Sequence, residues 1–303
     1  MSNEIHRDKW KTEPGQVWKL CDHRIVCADC TRPESWNFGD SESAALVFTS
    51  PPYGQQRDYE CANVPDWDAL MQGWCGNVSL VARENTQVLV NLGMIHRNGE
   101  WLPYWEQWCE WMRRQGWLRF ALNVWNQCTG LPGDWNGRCA PSFEFVFHFN
   151  KAIRYPNKWH AKKPESIAVR DKYTMRERDG TKKRPAASPG AGLQPTRIPD
   201  NVWTLERQKG PVAHDMDHPA PFPIGLPAYA INTYTEPGEI VFDPFLGSGS
   251  TLIACEQTGR HCRGMELSPN YLALVIERWH RLTGGKPECL GPNICASSVS
   301  FPG

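Results

Sequence analysis

The chain has 303 residues, 33 of them basic and 33 acidic, so its formal charge at neutral pH is zero. That length can bury a sizeable core, in one large domain or two. It holds no run of about 18 apolar residues and no basic-plus-apolar leader, so neither export nor membrane insertion is expected; twelve scattered cysteines suit reduced thiols in a cytoplasmic protein.

In chain order, residues 1–15 are polar and read as an unstructured tail. Cys21, His23, Cys27 and Cys30 lie close together, but no second close pair completes four zinc ligands, and no metal is expected. Ala44-Ala45-Leu46-Val47-Phe48-Thr49 reads as a buried parallel strand, stopped by Ser50-Pro51-Pro52-Tyr53. Proline cannot donate to a sheet ladder, and two in succession make a stiff turn. A rigid turn that offers a hydroxyl, a carbonyl and an aromatic ring suits a flat substrate bearing an amino group, such as a nucleobase. After the strand Val88–Leu92, tryptophans 101, 105, 108 and 111 recur at helical spacing, the pattern of a core-facing stripe.

Residues 151–209 carry fifteen Lys and Arg against six Asp and Glu, a net of +9; the remainder carries eighteen against twenty-seven, a net of −9. A localised basic segment is what phosphate binding requires. Glu239–Thr251 then reads as a short apolar strand, a glycine turn at Gly247 and Gly249, and a helix capped by Ser250 that ends at Gly259. The strand Cys262–Met265 follows and ends in Glu266, where doubly wound folds hold ribose hydroxyls. A last helix, capped by Ser268 with Pro269 at its first position, buries Leu272, Val275, Ile276 and Trp279. Strands near residues 25, 45, 88, 120, 145, 240 and 263 alternate with helical patterns. The fold class is therefore α/β, a doubly wound, mostly parallel sheet.

Ser50-Pro51-Pro52-Tyr53 and Asp243-Pro244-Phe245-Leu246-Gly247-Ser248-Gly249-Ser250 together resemble the amino-group DNA methyltransferases that use S-adenosylmethionine. With the tetrapeptide first and the glycines last, the order is similar to the beta class, whose target-recognition region lies between the two. The resemblance runs from about Gln16 to Gly284 and is weakest over 151–209. It implies a Rossmann-like catalytic domain over 16–150 and 210–284, a basic target-recognition insertion over 151–209, and a C-terminal tail over 285–303. It further implies catalytic roles for Ser50, Pro51, Pro52 and Tyr53. Cofactor contacts are implied at Asp29 (after the hairpin Val17–Leu20 and Arg24–Ala28), His218, Phe222, Asp243, Phe245, Gly247, Gly249, Ser250 and Glu266. DNA contacts fall to Arg57, Lys158, Lys162, Lys163, Arg176, Arg178, Lys182, Lys183 and Arg184.

No Pro-Cys nucleophile for carbon-5 chemistry is present, which points to methylation on nitrogen. Serine ahead of Pro-Pro-Tyr is commoner in cytosine-N4 members of the family, and Asp or Asn in adenine-N6 members. The resemblance therefore implies N4-cytosine methylation of double-stranded DNA, with N6-adenine as the alternative. An RNA methyltransferase and a catalytically silent nucleic-acid-binding module are the readings from other classes. A homodimer and a cognate restriction endonuclease are left open as partners, as are the recognition sequence and a place in restriction-modification.

Overall fold

A computed structural model of the chain describes residues 2–39, 43–53, 66–161, 175–183, 195–207 and 222–292, and for 2–5, 175–176 and 182–183 the backbone alone. In chain order the elements that matter are helix α1 (Ser2–Trp10), strands β1 (Gln16–Leu20), β2 (His23–Cys27) and β3 (Ala44–Thr49), α2 (Trp67–Asn77), β4 (Ala82–Leu92), α3 (Glu106–Arg114), β5 (Leu118–Asn126), β6 (Phe143–Asn150) and β7 (Val202–Thr204). Then come α4 (Gly225–Tyr234), β8 (Ile240–Asp243), α5 (Ser250–Thr258), β9 (His261–Glu266), α6 (Pro269–Thr283) and β10 (Glu288–Pro292).

Every residue of β3 and of β8 is buried, as strands covered on both faces must be. They sit at the centre of one ten-stranded sheet of order β7-β5-β6-β4-β3-β8-β9-β2-β1-β10. The five strands β4, β3, β8, β9 and β2 run parallel; β6 and β1 run against their neighbours. One face packs Leu46, Phe48 and Val241 against Leu226 and Ile231 of α4, Leu252 and Ile253 of α5, and Leu272, Val275, Ile276 and Trp279 of α6. The other face packs Val47, Val88, Val90 and Phe242 against Met71 and Trp74 of α2 and Trp108 and Met112 of α3. Helices on both faces make the sheet doubly wound, as the alternation of elements implied. From β3 the chain goes to β4 on one side, and from β8 to β9 on the other, so β3 and β8 flank the point where strand order reverses. In open α/β sheets the crevice beyond the carboxyl ends of such strands is where ligands bind.

Four sequence expectations change. The polar tail holds α1, which docks on α6: Lys9 Nζ and Trp10 Nε1 both donate to Glu277 Oε2, at 2.7 and 2.9 Å. Periodicity missed it because Ile5 and Trp10, five positions apart, are its only apolar residues. The C-terminal tail begins with a strand, β10, paired antiparallel with β1. Within 151–209, β7 adds a sheet edge beside β5 and buries Trp203. Trp101 is not on α3; it lies in a short hairpin, Ile95–Arg97 with Glu100–Leu102, where it is 54% exposed and stacks on Trp105. The turn at Asn98 and Gly99, both at positive φ, reverses the chain before the helix can start. Among the described residues, no helix is long and apolar enough to cross a membrane.

Candidate active site

Ser50 begins the turn at the carboxyl end of β3, and the strand positions it through the residue before. Thr49 Oγ1 donates to Asp243 Oδ1 across the β3–β8 pair at 2.7 Å, while Thr251 Oγ1 donates to Asp243 Oδ2 at 2.6 Å and the Phe245 N–H to Oδ1 at 3.0 Å. Asp243 is completely buried, and burial pushes its carboxyl up to about 6 against the opposing pull of those three donors. Asp243, expected from the resemblance to contact a cofactor, is held here by Thr49, Thr251 and the Phe245 N–H. Its side chain is fully enclosed, and it ties the Ser50 turn to the glycine turn.

On the substrate side, the Tyr53 hydroxyl donates to Glu144 Oε2 at 2.7 Å and lies 3.2 Å from Ser50 Oγ. Asn91 Oδ1, at the end of β4, lies 3.3 Å from the phenol and 3.4 Å from Ser50 Oγ. The Tyr53 ring is seated on Gly93, where an added Cβ would meet Cε2 at 2.8 Å. Trp67 Nε1 donates to the Pro52 carbonyl at 2.9 Å and so pins the turn. Burial, then the Glu144 charge, pushes the Tyr53 phenol well above its ordinary value, so it stays protonated and donates.

On the other side of the crevice, Gly247 and Gly249 take positive φ of 53° and 84°. A side chain at 249 would be strained twice, since a Cβ there would also lie 2.9 Å from Val275 Cγ1. Glu266 Oε2 accepts from the Gly247 N–H and Oε1 from the Ser268 N–H, each at 2.8 Å. Burial first, and the Asp243 charge as well, raise its carboxyl to about 7 despite those backbone donors. Asp29 follows β2, beside the end of β9, and accepts from the Thr31 N–H and hydroxyl at 2.9 and 2.7 Å. Phe222 packs edge-on to Phe48 with centroids 6.1 Å apart, and Phe245 edge-on to Trp74 at 5.8 Å. Ser250 is the first residue of α5 and not its cap. Gly249 holds the cap position, and the serine hydroxyl donates to the Phe222 carbonyl at 2.9 Å.

Tertiary folding therefore gathers Ser50, Pro51, Pro52 and Tyr53 with Phe222, Phe245, Gly247, Gly249, Ser250, Asp29 and Glu266 at the carboxyl ends of β3, β8, β9 and β2. His218, Arg57, Lys162, Lys163 and Arg184 lie outside the described residues, as do the side chains of Arg176, Lys182 and Lys183. The backbone pairs Arg176 with Lys182 across a small hairpin, and Lys158 and Arg178 are exposed. Sequence reasoning missed Asn91, Gly93, Glu144 and Arg278, whose guanidinium donates to the Ser248 carbonyl. Asn91 inside Val88-Leu89-Val90-Asn91-Leu92 and Glu144 inside Phe143-Glu144-Phe145 were legible signals, each a polar residue in an apolar strand.

Residues 44–277 match the model of a family described as DNA methylase, about three-quarters of the chain. The chain belongs to that family. Among curated DNA methylase relatives, the Type II methyltransferase M.XycI of Xanthomonas campestris pv. cyanopsidis is 30% identical over 167 residues, covering 55% of this chain and 46% of that protein. The chain spans about half the length of the first curated relatives it matches. Among solved structures, the cytosine-N4-specific PvuII DNA methyltransferase superposes with a TM-score of 0.57 at 18% identity, covering 88% of this chain and 95% of that one. A putative DNA modification methylase of Thermus thermophilus, complexed with S-adenosyl-L-methionine, gives 0.56 at 21% identity, covering 88% and 98%. At those identities the likeness is one of fold, and it carries the Rossmann-like methyltransferase architecture.

Proposed function

We propose that the chain methylates the exocyclic N4 of a cytosine flipped out of double-stranded DNA, with S-adenosylmethionine as donor. The observation that carries the reading is the joining, through Asp243, of the Ser50 turn to the glycine turn in one crevice. The side chains there suit the donor. Asp29 and Glu266, at the ends of adjacent strands, offer carboxylate acceptors to ribose hydroxyls, and the partly buried rings of Phe222 and Phe245 offer apolar faces. Gly247 and Gly249 let the backbone come close, Ser250 holds the Phe222 segment in place, and His218 belongs to the same set by family resemblance. When bound, S-adenosylmethionine supplies an electrophilic methyl on a sulfonium.

The chain's own work is to present a poor nucleophile. An exocyclic amine delocalises its lone pair into the ring, and a base inside a duplex is out of reach, so the nucleotide must leave the stack. Stacking on Tyr53 is worth roughly 1–3 kcal/mol toward that cost. Ser50 Oγ and the Pro51 carbonyl accept the two amine hydrogens, which favours a tetrahedral nitrogen whose lone pair is available. Pro51 and Pro52 keep both acceptors rigid, and such positioning can lower a barrier by roughly 7–11 kcal/mol. Lys158, Arg178 and the basic residues around them hold the phosphates. The neutral serine, in place of the Asp or Asn common in adenine-directed members, supports cytosine as the target.

Incubating unmethylated DNA with the protein and S-adenosylmethionine, then digesting to nucleosides for mass spectrometry, tests this. N4-methylcytosine is expected. N6-methyladenine would overturn the choice of base, and no methylated nucleoside on DNA of varied sequence would overturn the activity.

A further inference from the structure

We propose that Glu144 is the residue that makes Ser50 a hydrogen-bond acceptor and that takes, through Tyr53, the proton the amine loses on methylation. The inference rests on the methyltransferase reading above and names a carboxylate to which neither the tetrapeptide nor the glycine turn points.

The argument is one of hydrogen-bond direction. An ionised carboxylate only accepts. Gln127 Nε2 donates to Glu144 Oε1 at 3.0 Å, and the Gln127 amide is oriented that way because Arg207 Nε donates to its oxygen at 2.8 Å. The other oxygen, Oε2, takes the Tyr53 hydroxyl proton at 2.7 Å, against 3.3 Å for the competing Asn91 Oδ1. With its proton committed, Tyr53 Oη presents lone pairs to Ser50 Oγ at 3.2 Å, nearer than the two Asn91 oxygens at 3.4 Å. Ser50 then donates toward Tyr53 and keeps its own lone pairs for the substrate. A neutral serine would otherwise be as ready to donate to the amine as to accept from it. The phenol, pushed well above its ordinary value, holds a proton at rest and passes one on only as it receives another.

The proton count closes along the same chain. As the N–C bond forms and the C–S bond breaks, its electron pair goes to sulfur and the amine nitrogen becomes positive. That nitrogen gives one proton to Ser50 Oγ, Ser50 gives its proton to Tyr53 Oη, and Tyr53 gives its proton to Glu144 Oε2. The carboxylate ends neutral and releases the proton to water after product leaves. Glu144 never touches the substrate, so it is a positioning residue and proton store.

Glu144→Gln is the deciding variant, because it changes volume little while removing the charge, and with its oxygen taken by Gln127 Nε2 its amide N–H faces Tyr53 in place of an acceptor. Tyr53→Phe keeps the stacking ring and cuts the chain. Each is expected to lower the single-turnover methylation rate roughly 10²-fold, the scale of general base catalysis. KM for DNA and calorimetric S-adenosylmethionine binding should stay at wild-type values, and that binding also reports a folded crevice. Two groups on one chain are not additive, so the double variant should be no slower than either single one. A Glu144→Gln rate equal to wild type, or losses that multiply in the double variant, would overturn the proposal. Absence of product from the wild-type protein would sink the methyltransferase reading itself, a different result.

Discussion

Two carboxyls near the glycine turn carry raised values, Glu266 to about 7 and Asp243 to about 6, each in contact with backbone or hydroxyl donors that partly offset burial. For Glu266 the ordinary value is 4.5. Between those limits the folded protein holds a proton that the unfolded chain has released, so stability present below the lower value is lost as pH rises through the upper one. Glu266→Gln does not titrate. Melting temperatures of the two proteins measured from about pH 5 to about pH 8 should therefore converge as pH rises, the wild type losing ground in that window. A constant gap would mean that Glu266 is ionised throughout. Glu277 behaves in the opposite sense: burial works to raise it, but hydrogen bonds from Lys9, Arg281 and Trp10 outweigh burial and hold it at about 2.

That carboxylate is also what makes α1 an element and not a tail. Trp10 meets Trp18 and His280 edge-on, with centroids 6.5 and 5.4 Å away, while its indole reaches Glu277. Trp10→Ala should cost about 2 kcal/mol, the scale for removing a partly buried aromatic side chain, read as a lower urea midpoint with methylation unchanged in folded protein. The case shows where sequence reasoning stops. All seven strands read from apolar runs are present, and so are the Gly259 stop and the Ser268 cap, because each is written within a few adjacent residues. α1, β7 and β10 escaped because their reason for ordering lies on partners far away in the chain. At Trp101 the helical period carried past a hairpin turn, and the aromatic run split into buried Trp108 and exposed Trp101.

At the scale of the whole molecule, the +9 segment over 151–209 and the −9 remainder of a neutral chain set its dealings with a polyanion. Each phosphate neutralised contributes about −0.9 to the slope of log affinity against log salt on duplex DNA. Lys182→Ala together with Lys183→Ala should weaken DNA binding and flatten that slope by about 2, measured by fluorescence anisotropy over a salt series. Unchanged slope would place the phosphate contacts elsewhere. Taken alone, the sequence determined the strands, the two chemistry-bearing turns and the charge asymmetry, since all are local patterns in which neighbours along the chain decide the outcome. Only the tertiary structure decided that Asp243 is a buried tie, that Ser250 begins its helix under a glycine cap, and that Glu144 faces Tyr53. Those depend on which strands lie side by side, and hydrogen bonds spanning eight to 194 positions of sequence leave no periodic trace in it.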